Sequence, residues 1–541
     1  MALNPVVRGK RAVASSSHPA VTDTILNVLR EGGTAADAAV AACLVQAAVE
    51  PQLTCYAGTI TCLYWDAKTR ITYQLESTGT LVPGLPPFRP LPGGLSWLSP
   101  AELPPCACIP GFIPGLQALH TRFGTLPWPQ LCQPAIHWAE AGHEVTSFEY
   151  GFYVDLLPFL TYFPSSRELF TPDGFIREVG SVFRNPALAQ TTRELATEGP
   201  EYCITGAWAQ HFVAEANRLG WPITLDHMRA IPPRWQEPLH WQHGPDEVVQ
   251  LAPPERTGVF SAMVLGILCH LGIPSIDKPM DSAEALYFLS HALRLADQEL
   301  GYLNDPETFD VPVDRWLSPD YLAMRAEILA RSRPRVDLTD HVRALGGAAE
   351  LAAAGLKTPM GSCELSIVDT EGNWLQLMNT LQSGGIPGVT VDGVPMYGCH
   401  AQSSLRYFIG GWFAGGGRIR SPIGNTLVFR NGDPWLALGT PGNVFATVPQ
   451  VLTRILDAGT PPEDAIDAPR MLPLRDDYVL EAEARLSPEA AEGLVRMGIR
   501  HKPHAGFDVH MGSFQASWRD PVGGPLNAYA DPRRPGKADG Y

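Results

Sequence analysis

The sequence predicts a mixed α/β fold of the α+β kind, in which helices and strands are partly segregated along the chain. Three observations predict it. An Ala-rich apolar run over 35–49 reads as a buried helix. Helical spacing of apolar residues dominates from about 116 to 354. Beyond 357 the pattern changes to short apolar runs separated by turn residues, which reads as hairpins.

Taken in order, the first helix covers about 21–30 and stops at Gly32-Gly33, a suitable C-terminal cap. Thr34 caps the second helix, which carries the Ala-rich run. Residues 59–65 and 71–75 read as strands, and the polar stretch 66–70 joins them as a hairpin. The Pro/Gly-rich stretch 82–114 reads as an irregular surface loop. Helical patterns recur at 283–299 and 319–331. The small, Ala/Gly-rich segment 346–357 is expected to be mobile and accessible.

The section after it carries the most information. Leu365-Ser366-Ile367-Val368 and Trp374-Leu375-Gln376-Leu377-Met378 flank a turn at Asp369-Thr370-Glu371-Gly372-Asn373. A hairpin centred near Glu371 sets Leu365 opposite Leu377 and Ile367 opposite Leu375, two apolar pairs that support the register. The same register sets Thr380 opposite Ser362. These are either ordinary strand-end hydroxyls or a functional pair. A second hairpin turns at Asn431-Gly432, between 425–429 and 435–438. Its outgoing strand enters Gly439-Thr440-Pro441-Gly442-Asn443 and then a helix over about 444–456. A Gly-rich turn between strand and helix leaves backbone N–H groups free to hold an oxyanion, or simply meets the need for positive φ.

Other chemistry is absent from the pattern. There is no G-x-S-x-G elbow, no phosphate-binding loop and no H-E-x-x-H zinc helix. His18 precedes a proline at a helix start and reads as structural, and His400 is not assigned a catalytic role. The composition, 45% hydrophobic and 18% charged over 541 residues, is that of a globular chain with ample core. A net charge of -16 argues against nucleic-acid and anionic-membrane partners. No apolar run is long enough to span a bilayer, and the first residues lack a secretory pattern, so a cytoplasmic location with ten reduced cysteines is expected.

The chain resembles the γ-glutamyltransferase family nearly end to end. The resemblance rests on the order and spacing of several stretches. They include Glu31-Gly32-Gly33-Thr34-Ala35-Ala36-Asp37-Ala38-Ala39-Val40, Pro110-Gly111-Phe112-Ile113-Pro114-Gly115 and Tyr302-Leu303-Asn304-Asp305-Pro306. The ending Ala530-Asp531-Pro532-Arg533-Arg534 with Gly540-Tyr541 completes them. It implies an N-terminal-nucleophile hydrolase of four-layer αββα architecture, made as a proenzyme. Cleavage between Gly361 and Ser362 would give interwoven fragments, 1–361 and 362–541, that stay associated. It implies no cofactor and no metal.

The family's T-T-H-[YF]-S-V-V-D-x-x-G-N motif falls on Ser362-Cys363-Glu364-Leu365-Ser366-Ile367-Val368-Asp369-Thr370-Glu371-Gly372-Asn373. The resemblance makes Ser362 the nucleophile, Thr380 its hydrogen-bonding partner, and Gly442 and Asn443 the oxyanion hole. A shift of one residue would make Cys363 the nucleophile instead. Gln382 and Ser421 fall on substrate-binding positions. A serine freed at its N-terminus carries its own base, because an α-amine titrates near pH 8.

The pocket motifs depart from the family. Its carboxylate-binding Arg is replaced within Leu75-Glu76-Ser77-Thr78-Gly79, and its acidic residues within Tyr397-Gly398-Cys399-His400-Ala401-Gln402-Ser403. Its paired serines become Arg420-Ser421-Pro422-Ile423. The expected activity is therefore cleavage of a small amide other than a simple γ-glutamyl donor, since unpaired buried charges are costly. The alternatives are a genuine glutathione hydrolase or γ-glutamyltransferase, and an unprocessed binding homologue.

Overall fold

The predicted hairpin around Glu371 forms the centre of one of two seven-stranded sheets. The computed structural model describes residues 3–82, 108–230, 232–276, 281–300, 303–331, 361–381, 385–386, 388–396, 417–419, 423–475, 478–519 and 523–541. The predicted loop over 82–114 lies mostly outside these residues, and the segment 346–357 lies wholly outside them.

In chain order the strands of the two sheets are β1 (Val7–Gly9), β2 (Val13–Ser16), β3 (Thr59–Asp66), β4 (Ile71–Ser77), β5 (Arg234–Gln236), β6 (Leu239–His243) and β7 (Asp246–Gln250). There follow β8 (Cys363–Val368), β9 (Trp374–Thr380), β10 (Thr426–Arg430), β11 (Asp433–Gly439), β12 (Gln515–Arg519), β13 (Leu526–Ala530) and β14 (Lys537–Gly540). The front sheet has the order β14-β2-β8-β9-β3-β4-β5, and the back sheet β1-β13-β12-β11-β10-β7-β6.

Side-chain alternation divides β8 and β9 between two cores. Leu365, Ile367, Leu375 and Leu377 join the helix-side core with α1 (Pro19–Arg30) and α2 (Ala35–Val49). Val368, Trp374 and Met378 face the other way, into the core shared with Leu436, Leu438 and Trp518 of the back sheet. Helices α6 (Thr257–His270) and α8 (Val444–Leu452), numbered after α3 (Trp128–Ala141), α4 (Ser147–Asp155) and α5 (Pro186–Glu198) and flanking α7 (Ala283–Glu299), send Leu265, Val444 and Val448 into that same core. The order is helices, sheet, sheet, helices. The register is the predicted one, with Leu365 opposite Leu377 and Ile367 opposite Leu375. A one-residue slip of either strand would turn its aliphatic pair away from the helix side and bring buried polar residues such as Ser366 or Gln376 into that core.

Local signals account for the elements beside the hairpin. Helix α2 is buried at every position and apolar all round. Its capping box is complete: Thr34 Oγ1 accepts the Asp37 N–H at 3.2 Å, and Asp37 Oδ2 accepts the Thr34 N–H at 3.0 Å. Asp369 in the hairpin turn accepts the Ala35 N–H at 2.9 Å, which ties the turn to the start of α2. Asn431 and Gly432 adopt φ of 56° and 79°, as a two-residue hairpin turn requires.

The helical reading of 116–354 needs a correction. Strands β5, β6 and β7 interrupt it and form one edge of each sheet. The outer positions of β6 carry His and Gln, so edge exposure there weakened the apolar alternation that marks a strand. The helix over 444–456 is also refined, being α-helical to Leu452 and a π-turn over Thr453–Asp457.

Candidate active site

Strand β8 begins at Cys363, and the continuing register sets Ser362 against Thr380, the last residue of β9. Ser362 Oγ donates to the carbonyl oxygen of Gly361 at 2.7 Å. Thr380 Oγ1 donates to the same oxygen at 3.1 Å. Two hydroxyls therefore converge on the carbonyl of the peptide bond that joins Gly361 to Ser362. Both side chains are buried. A Cβ on Gly361 would lie 2.6 Å from Leu53 and 3.0 Å from Phe152 of α4, so a larger residue would push this carbonyl out of place.

Alternation turns Cys363 to the opposite, helix-side face. Its Sγ donates to Glu50 Oε2 at 3.5 Å, just past the end of α2. Burial first, and then the nearby Glu50 carboxyl, push the Cys363 thiol well above its ordinary range. A thiol held protonated is a weak nucleophile. Glu50 also accepts from Ser17 Oγ at 2.8 Å and Gln46 Nε2 at 3.3 Å, while burial pushes its own carboxyl upward.

The Gly-rich turn after β11 is docked onto the nucleophile strand through Gly439. A Cβ there would sit 2.1 Å from Glu364 Oε1 and 2.7 Å from Gln376 Nε2, so these two side chains of the front sheet pack directly on the Gly439 backbone. Glu364 is fully buried; Gln376 donates to its Oε1 at 2.6 Å, and burial pushes the carboxyl well up. Further along the turn, Gly442 has φ of +84°, and its N–H has no partner among the described residues. The other expected oxyanion donor is engaged. The Asn443 N–H donates to the His510 carbonyl at 3.2 Å, and Asn443 Nδ2 donates to the same oxygen at 2.7 Å. The Ser513 N–H donates to Thr440 Oγ1 at 2.8 Å and holds the turn from the other side.

Ser362, Thr380, Glu364 and the Gly439–Asn443 turn are thus brought to one end of the sheets. Gln382, Ser421 and His400 lie outside the described residues, as does 397–403. His18 is structural: its Nδ1 accepts the Ala20 N–H at 3.2 Å and caps α1.

Residues missed in the sequence also converge here. Arg534, in the turn after β13, donates from Nη1 to the Ser362 carbonyl oxygen at 2.8 Å. The neighbouring Arg533 points away, pairing with Glu483 at 2.6 Å and Asp531 at 3.2 Å. The paired arginines in the ending after β13 were the available signal. Near Glu76, Arg418 and Arg234 form a charged group with Asp305, at 4.0 and 3.1 Å. Glu76 takes hydrogen bonds from the Thr78 hydroxyl and N–H, and its buried Oε2 has no hydrogen-bond partner among the described residues.

The gamma-glutamyltranspeptidase family model matches residues 21–541. A glutathione hydrolase proenzyme of Pseudomonas aeruginosa is 29% identical over 94% of this chain and 90% of its own length. An oxamate amidohydrolase proenzyme of Klebsiella pneumoniae is 27% identical over 98% of each chain. The crystal structure of a cephalosporin acylase from Bacillus halodurans has a TM-score of 0.82 across 100% of this chain and 98% of that one. At 22% identity this last likeness speaks to the fold alone, which is the four-layer N-terminal-nucleophile fold. On the match across nearly its whole length, the chain belongs to the gamma-glutamyltranspeptidase family of amide-cleaving hydrolases and acyltransferases.

Proposed function

We propose that the chain is cut between Gly361 and Ser362, and that the new N-terminal serine cleaves a small-molecule amide through an acyl-enzyme. The supporting observation is the pair of hydroxyls on the Gly361 carbonyl, at 2.7 and 3.1 Å. Ser362 Oγ is placed beside the carbonyl that it would attack. The Thr380 O–H would stabilise the charge developing on its oxygen. Attack forms an ester to Gly361 and breaks the peptide C–N bond, which leaves the Ser362 amine free. Water then hydrolyses the ester. Fragments 1–361 and 362–541 remain joined through the front sheet, because β2 and β3 flank β8 and β9.

The freed amine is the general base for catalysis. It takes the Ser362 hydroxyl proton as Oγ attacks the substrate carbonyl, and returns it to the departing amine. The Gly442 N–H is the first oxyanion donor. Asn443 anchors the turn through His510 and becomes a second donor only if that bond opens. Burial of Cys363 against Glu50 supports Ser362 over Cys363 as nucleophile.

For the acyl donor, Glu76 in the place of the expected Arg favours an amide without a free α-carboxylate at that position. The oxamate amidohydrolase and cephalosporin acylase likenesses fit a family that accepts varied amides. A glutathione-type donor is the second reading, favoured by Arg418 and Arg234 beside Glu76 and by the glutathione hydrolase relatives. Gel analysis and a panel of small amides that includes γ-glutamyl-p-nitroanilide separate these readings. Two fragments with weak γ-glutamyl turnover support the first reading. Two fragments with γ-glutamyl as the best donor support the second. An intact chain without activity sinks both, and leaves a binding homologue.

A further inference from the structure

Arg534 is buried, and one of its hydrogen bonds is made to the nucleophile residue itself. Its Nη1 donates to the Ser362 carbonyl oxygen at 2.8 Å. In an extended residue the backbone nitrogen and carbonyl oxygen lie roughly 3 Å apart, so the guanidinium is within about 6 Å of the Ser362 nitrogen. We propose that Arg534 is a positioning residue for the nucleophile. It clamps the Ser362 carbonyl, and its fixed positive charge keeps the amine freed by cleavage neutral and able to accept a proton at neutral pH. The inference rests on the proposed maturation at Ser362.

The physical argument is one of like charges. An ammonium beside a permanent cation loses its proton more readily, and burial strengthens the effect. Several groups among the described residues face this point. Cys363 comes from β8, Glu50 from the end of α2, and Asp531 from the C-terminal turn; Phe148 of α4 supplies the ring under the guanidinium, and Glu364 follows Cys363 along β8. Burial pushes the Glu364 carboxyl upward, which disfavours its charged form. Asp531 is already paired with Arg470 at 2.5 Å and with Arg533. Glu50 opposes Arg534, but it accepts hydrogen bonds from Cys363, Ser17 and Gln46, on the helix side of the strand. The guanidinium is bonded to the Ser362 peptide unit itself, so its field dominates at the amine. Arginine suits the place because it stays charged when buried: here it is pushed down, by burial above all, only to about 10.

The test is the acid limb of the kcat/KM–pH profile of mature enzyme. In the wild type it should lie below the value of about 8 of an ordinary α-amine. Arg534→Lys keeps the charge and should leave the limb within about 0.3 pH unit, while kcat falls as the clamp loosens. Arg534→Gln should raise the limb by about one pH unit, with KM changed less than twofold. If the Gln variant does not mature, the Lys variant decides: a limb raised by a full unit with the charge retained overturns the inference. N-terminal sequencing separates the two levels. A fragment that does not begin at Ser362 sinks the maturation reading and this inference together. A fragment that begins at Ser362, with a limb that does not respond to loss of the charge, sinks the inference alone.

Discussion

Ser362, just before β8, and Thr380, at the end of the neighbouring β9, both donate to one acceptor, the carbonyl oxygen of Gly361. Gly361 thus offers a polarised carbonyl next to a hydroxyl, the arrangement that an N-to-O acyl shift requires.

Substituting the attacking group should stop maturation. Ser362→Ala should stay a single 541-residue chain on denaturing gels, whereas Cys363→Ala should be cut like the wild type. A cut Ser362→Ala chain, or an uncut Cys363→Ala chain, would transfer the nucleophile role to another residue.

Thr380→Val removes the hydroxyl that polarises the Gly361 carbonyl and should slow maturation by roughly 10²-fold, as for loss of one oxyanion donor. Thr380→Ser keeps the hydroxyl and should mature within a few-fold of the wild-type rate. A time course of fragment appearance checks both. Equal rates for the Val and Ser variants would remove Thr380 from the chemistry.

Gly439 of the back sheet packs directly against Glu364 and Gln376 of the front sheet. A Cβ at that position would lie 2.1 Å from Glu364 Oε1, backed by the fully buried Gln376. Gly439→Ala should therefore cost about 1–3 kcal/mol, the usual penalty of overpacking. The urea midpoint of unfolding measures it. An unchanged midpoint would mean that Glu364 has room to move.

Acid should destabilise the fold in part through His18. Burial first, and then His143, push its imidazole from 6.5 down to about 3. Between those values the unfolded chain binds a proton that the folded chain does not. Stability is then full above the unfolded value and is lost as pH falls toward the folded one. The slope is at most about 1.4 kcal/mol per pH unit, and less here because the ring keeps some solvent contact. Asn at position 18 retains a capping oxygen and cannot titrate. Thermal melts should show His18→Asn losing less Tm than the wild type between about pH 6.5 and 4.5; parallel losses would clear His18 of the effect.

Much of the framework was legible from the residues themselves. Thr34 with Asp37 encodes a helix start, Asn431-Gly432 a hairpin turn, and the facing pairs Leu365–Leu377 and Ile367–Leu375 a register that already set Thr380 against Ser362. These features answer to interactions within a few residues, or to a period of two or 3.6, and such information is written along the chain. What surrounds Ser362 is not local. Arg534 reaches its carbonyl from 172 residues away, Glu50 meets Cys363 across 313, and His510 occupies the Asn443 N–H from 67. The edge strands β5 and β6 were hidden for a related reason, since an exposed face carries little apolar pattern and only the neighbouring strand makes the segment a strand. Those pairings exist once two sheets close on each other and bury the groups between them, so tertiary packing alone decided them.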